Sequence, residues 1–143
     1  MKKIALLLLT GLFLCGLLGC ANKSVRTAAI EYGNSEIFSV EEMDAAIKLI
    51  KKEFRSWEGC KPHNIRYSLD DNCNAENIEW MNELAAARGM KADFTQCIMF
   101  YSDFRSPVNG GGAWNPDSEY TNWSWWLARS GNGEWKLLTW GYA

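Results

Sequence analysis

Residues 122–142, NWSWWLARSGNGEWKLLTWGY, constrain the fold more than any other stretch of the chain. Two aromatic-rich runs with strand-like alternation flank Ser130-Gly131-Asn132-Gly133, the pattern of an antiparallel β-hairpin. Five of the eight tryptophans fall here, and a packed tryptophan buries a large apolar surface, so the hairpin must form one wall of the core. With Gly131-Asn132 or Asn132-Gly133 as a two-residue turn, or a four-residue loop over 130–133, odd positions of the first strand share a face with even positions of the second. One face then carries Trp123, Trp125, Leu127, Leu138, Trp140 and Tyr142, and is assigned to the helix-facing core. The other carries Ser124, Trp126, Ala128, Trp135, Leu137 and Thr139, and is expected to be the more exposed. A three-residue loop would exchange the two.

The chain begins with a different kind of signal. Lys2 and Lys3 precede an apolar run over residues 4–18, which ends in Leu17-Leu18-Gly19-Cys20. Such a run is shorter than the ~20 apolar residues of a spanning helix and has the build of an export leader. The tetrapeptide resembles the lipobox of bacterial lipoproteins. That resemblance implies cleavage after Gly19 and a diacylglyceryl (palmitate-type) modification of the Cys20 thiol, which becomes the first residue of the mature chain. Two acyl chains hold a protein stably where one holds it marginally. Residues 1–19 are therefore expected to be a signal peptide, 20–36 a polar lipidated tether, and 37–143 a single α+β domain. The expected location is extracytoplasmic, anchored to a membrane of the bacterial cell envelope. Without the leader, 13 Lys and Arg face 17 Asp and Glu, a net charge of −4. This argues against nucleic acid as partner, because phosphate binding needs a basic patch.

The domain reads as helices and strands in the order α-β-α-β-β-β. Ser39 and Glu42 form a capping box, Phe38 can staple against Met43, and Val40, Met43, Ile47, Ile50, Phe54 and Trp57 recur at helical steps. Ile65, Tyr67 and Leu69 alternate as a short strand. Asn74 caps a second helix that stops at Gly89, with Ile78, Met81, Leu84 and Ala85 inward. Residues 94–104 are apolar on both sides, as in a central strand covered on both faces. The expectation is helices packed on one face of a curved antiparallel sheet.

This order, with Ser-Val-Glu-Glu at 39–42, Trp-Glu-Gly-Cys at 57–60, Tyr-Thr-Asn-Trp-Ser-Trp at 120–125, Gly-Glu-Trp-Lys at 133–136 and Trp-Gly-Tyr at 140–142, resembles small uncharacterised lipoproteins of anaerobic gut bacteria. Those look like members of the nuclear-transport-factor-2-like superfamily, a cystatin-like α+β cone of sheet wrapped over helices. The resemblance covers about residues 37–143 and implies a fold and a location rather than a reaction.

Two functional readings follow. In the first, the domain binds a carbohydrate, a peptide or an envelope protein through exposed aromatics: Trp126 and Trp135 on the outer face of the hairpin, and Trp114 as a lid in the glycine-rich loop over 105–119. The same tryptophans could instead cover the sheet or pack under that loop. In the second, the domain is a small isomerase-, dehydratase- or hydrolase-like enzyme. Relatives of this fold with such activities hold an Asp or His in the cone, which makes Asp103 or Asp93 the candidate carboxylate and Tyr67 or Tyr101 its hydrogen-bond partner. The only histidine, His63, has no cysteine or carboxylate at ligand spacing, so no metal is expected. The chain contains no Gly-x-Ser-x-Gly elbow, P-loop or dinucleotide fingerprint, and no cofactor is expected. A closed, tryptophan-lined cavity around a carboxylate would favour the enzyme, and a filled core with exposed tryptophans would favour binding. Cys60, Cys73 and Cys97 remain in the domain. Spacing allows a Cys60–Cys73 or a Cys60–Cys97 bridge or three free thiols.

Overall fold

The computed structural model describes residues 18–142. Residues 1–17 of the expected 1–19 leader lie outside them. Eight principal elements run α1 (Leu18–Thr27), β1 (Ala29–Glu31), α2 (Val40–Ser56), β2 (Lys61–Tyr67), α3 (Ala75–Ala87), β3 (Gln96–Arg105), β4 (Glu119–Arg129) and β5 (Lys136–Gly141), with a 3-10 turn at Asp70–Asn72. The strands form one open sheet in the order β1-β2-β3-β4-β5. No helix among the described residues is long and apolar enough to cross a membrane.

The capping box forms as its residue types dictate. The Ser39 hydroxyl accepts from the Glu42 amide at 3.2 Å, and the Glu42 carboxylate accepts from the Ser39 amide at 2.9 Å. From this start α2 lays Met43, Ala46, Ile47, Ile50 and Phe54 on the sheet. Val40 departs from the expected stripe and stands half-exposed in the first turn. Asn74 caps α3 through the Asn77 amide at 2.9 Å, and Gly89 ends it with a positive φ. β3 lies at the centre of the sheet, between β2 and β4. Its Ile98, Phe100 and Phe104 meet α2, whereas Cys97 and Met99 meet α3.

Three features differ from the sequence expectation. First, the helices lie on both faces of the sheet: α1 and α2 cover one, and Met81 and Ala85 of α3 pack on Cys97, Met99, Trp126 and Leu138 on the other. A β3 apolar on both sides requires that second cover. Second, the sheet is mixed, because β1 pairs in parallel with β2 while every other pairing is antiparallel. The chain crosses between them through α2, as parallel neighbours must.

Third, residues 20–36 are not a free tether. They carry all of β1 and most of α1, which starts at Leu18 within the expected leader, and both precede the expected first helix. Val25 is 1 % exposed and Ala28 7 %. Farther on, the Ser35 hydroxyl and Glu36 amide donate to Asp70 at 2.6 and 2.8 Å. Val25, Ala28 and Ile30 are too few to make a periodic pattern. Val25 and Ala28 are buried, and Ile30 partly so, where they cover the flank of β2 and α2.

Candidate functional site

The hairpin carries the departure that decides which tryptophans are available. Trp125 pairs with Trp140 and Trp126 with Thr139, but one step on Leu127 pairs with Leu137 and Ala128 with Lys136. A one-residue bulge between them, with Leu138 as the extra residue, reverses the facing of the β5 residues nearer the turn. Trp123, Trp125 and Leu127 face α2 as expected. Leu137 and Leu138 exchange places, and Trp135 moves to the α2 side.

Neither outer-face candidate is therefore exposed. Trp126 is 9 % exposed and lies beneath α3, with Trp80 edge-on at 5.3 Å. Trp135 is 6 % exposed, donates its indole N–H to the Glu42 carbonyl at 3.1 Å, and is roofed by the Arg129 guanidinium 4.3 Å from its ring centre. Trp114 is no free lid. It packs on Trp57 at 4.7 Å and on Phe104 at 5.8 Å, and it closes a one-bridge turn with Gly111. Trp114, Trp126 and Trp135 are thus three separate packing anchors, and the structure does not bring them together.

The candidates Asp103 and Tyr67 are also committed. Asp103 lies where the pairing of β3 with both neighbours slips. It accepts from Asn64 at 2.9 Å, from Arg66 at 2.8 Å and from the Asn122 amide at 2.9 Å. Burial pushes its pKa up, but these donors outweigh burial and hold it below the ordinary aspartate value. Such a group is a poor base. Asn122 has a positive φ of 55°, so Asp103 fastens the bulge by accepting the amide of its most strained residue. Tyr67 is buried and donates to Asp70 at 2.7 Å. Burial first, then that bond, raises its pKa. Asp93 lies in the α3–β3 connection, where its carbonyl accepts from the Ser130 hydroxyl at 2.7 Å. The Tyr101 ring lies under Arg66, 5.8 Å from the guanidinium carbon. His63 and Glu119 pair at 3.0 Å on the surface, both about half-exposed.

The space between α2 and the sheet is filled by Phe54, Phe104, Trp125 and Leu127, none more than 1 % exposed. A shallow open groove of about 740 Å³ runs beside it, between α2 and the β4–β5 connection. Its Arg129 is bound to Glu42 and Gln96, and its Trp135 is already roofed.

The opposite end of α2 is different. Trp57, which ends the helix, stacks on Trp125 at 5.1 Å and touches Trp114, Trp123 and Trp140. Tyr120 stacks on Tyr142 at 6.0 Å, and Trp123 meets Tyr142 edge-on at 5.3 Å. Two rings of this cluster are exposed, Trp140 at 39 % and Tyr142 at 60 %. They stand at the end of β5, which has a neighbour on one side only. Farther up the strand Arg88 of α3 occupies the outward Leu138 carbonyl. Beside the two exposed rings, the indole N–H of Trp123 is buried without a hydrogen-bond partner. Sequence reasoning put Trp140 and Tyr142 on the core face. That assignment was sound for the face but not for its end, where α2 has stopped and no longer covers the sheet.

No family model matches the chain, and neither a curated protein nor a solved structure is significantly similar to it. The reading of the site therefore rests on its own geometry.

Proposed function

We propose that this chain is a lipoprotein of the bacterial cell envelope, anchored in a membrane by acyl chains on Cys20, whose domain binds a glycan or peptide segment on the Trp140–Tyr142 ledge. Kinship with the nuclear-transport-factor-2-like superfamily, with a sheet curved about α2, belongs to the same proposal. The observation that carries the binding reading is a pair of exposed rings held in fixed orientation by an aromatic cluster. Rigid aromatics offer contact area at low entropic cost, and both sugar rings and peptide side chains stack on such faces. The enzyme reading is the weaker one, because Asp103 and Tyr67 are each spent on bonds that hold the fold.

Anchoring and binding are linked by the short approach to the domain. Val25 is buried five residues after Cys20, a span of about 8 Å as helix and no more than about 18 Å fully extended. The domain would thus be held close to the bilayer, within reach of ligands of the envelope itself.

The test is titration of the purified domain with soluble peptidoglycan fragments and with an envelope peptide pool, read by tryptophan fluorescence. Trp140→Ala and Tyr142→Ala should each lower affinity about tenfold or more, in line with the loss of one stacked aromatic, while the far-ultraviolet spectrum stays unchanged. Unaltered binding by both variants would refute the ledge.

A further inference from the structure

Two of the domain's three thiols lie together, and the ledge uses neither. Cys73 ends the 3-10 turn after β2, and Cys97 is the second residue of β3. The Cys97 thiol donates to the Asn72 carbonyl, one residue before Cys73, at 3.6 Å, and Cys73 packs against the α3-side cluster to which Cys97 belongs. The Cys73 sulfur also lies 3.6 Å from the Tyr67 hydroxyl. Cys97 is fully buried, whereas Cys73 is half-buried and can be reached from solvent. Cys60 stands apart, at the far end of β2, next to Lys61, which pairs with Arg105 at the far end of β3. The length of either strand puts it on the order of 20 Å from Cys73 and Cys97. A disulfide needs Cα atoms within about 7 Å. The Cys60–Cys73 and Cys60–Cys97 bridges that spacing alone allows are therefore both excluded.

We propose that Cys73 and Cys97 are a dithiol–disulfide couple, in which Cys73 attacks and Cys97 resolves, oxidised by exchange with a disulfide donor of the envelope. The Cys73 thiolate attacks one sulfur of the donor, whose S–S bond breaks and releases one thiolate. Cys97 then attacks the Cys73 sulfur of the mixed disulfide, passing its proton to the second donor sulfur as that sulfur is expelled. Both leaving groups take up protons, so two cysteines are oxidised by two electrons and one donor disulfide becomes two thiols. The local chemistry supports this division of roles. The neighbouring Cys97 lowers the Cys73 thiol against opposing burial, with help from Tyr67, while Cys73 and burial raise Cys97. The bridge would close residues 73–97 around the whole of α3 and fasten that layer to β3.

In the cell the donor is present only if the domain is exported, so there the proposal rests on the extracytoplasmic reading. The test keeps the two apart. The purified full chain is equilibrated with mixtures of reduced and oxidised glutathione, unfolded, alkylated and mapped by peptide mass. Cys73 and Cys97 should lose alkylation together and appear in one cross-linked species, with Cys60 still alkylated. The melting temperature should rise by about 10 °C on oxidation, and the rise should vanish in Cys73→Ser and Cys97→Ser but persist in Cys60→Ser. A bridge to Cys60, or separate glutathione adducts on Cys73 and Cys97, would overturn the couple. If the bridge forms in the tube but chain alkylated directly in cells carries both thiols free, the couple stands and the exported location fails.

Discussion

Replacing Trp125 by phenylalanine tests whether the tryptophans beneath the ledge serve packing. Trp125 is fully buried, its ring contacts Phe54 at 4.9 Å and Trp57 at 5.1 Å, and its indole N–H donates to the Ser102 hydroxyl at 3.0 Å. Ser102 is itself fully buried, so water cannot replace the lost donor. Phenylalanine keeps an aromatic ring but leaves Ser102 without this donor, at about 1–3 kcal/mol, and opens a small cavity worth roughly 1 kcal/mol more. The expected destabilisation is about 2–4 kcal/mol, a large part of the ~5–15 kcal/mol that holds such a domain together. The assay is urea unfolding of the wild type, Trp125→Phe, Ser102→Ala and the double variant. In the Ser102→Ala background the Trp125 change should cost about 1–3 kcal/mol less, because the orphaned hydroxyl is gone. A coupling below about 0.5 kcal/mol would show that the buried bond contributes nothing, and the assignment of Trp125 to a specified core position would fall.

Acid should weaken the fold through identifiable carboxylates. The pKa values of Asp70, Asp103 and Glu119 are lowered, each by hydrogen-bond donors that for Asp103 also overcome burial. A carboxylate with a depressed folded pKa gives stability that is fully present above its unfolded value, ~4, and lost as pH falls through the folded value. The urea midpoint should therefore be flat from pH 7 to about 5 and fall below 4, and Asp103→Asn should flatten that fall; an unchanged acid limb would contradict the Asp103 network. The glycine-rich loop makes a second prediction. Gly110 has a φ of +70°, and an added Cβ would sit 3.1 Å from the Trp114 carbonyl oxygen, whereas Gly112 has a φ of +56° with nothing within 4 Å. Gly112→Ala should cost about 1 kcal/mol from backbone strain, and Gly110→Ala measurably more in the same urea assay; equal costs would show that Trp114 does not fix the loop.

Local signals were legible in the sequence where the chemistry is itself local. Ser39 and Glu42 satisfy orphan amides of one helix turn, and Asn74 and Gly89 bound another, so residue type alone places α2 and α3. The two-sided apolar run of β3 named a central strand, though its need for a second helical layer went unread. The hairpin shows the limit. The position of its turn follows from the sequence, but a bulge between Trp126 and Leu127 leaves no mark in residue type. Its single residue was enough to bury Trp135 and to exchange Leu137 with Leu138. The site depended on where α2 ends relative to β5, a relation between distant elements, so Trp140 and Tyr142 could be assigned to a face but not recognised as uncovered. The Cys73–Cys97 contact was invisible for the same reason: it joins a 3-10 turn to a strand across 24 residues of chain.

The central claim is that this domain is carried at a membrane by Cys20, and one mass measurement addresses it. The chain is expressed in a bacterial host, extracted with detergent, digested, and its N-terminal peptide weighed. The account predicts a peptide that begins at Cys20 and bears a diacylglyceryl group, absent from a Cys20→Ala variant. A peptide still joined to residues 1–19, or one beginning elsewhere with Cys20 unmodified, would contradict it.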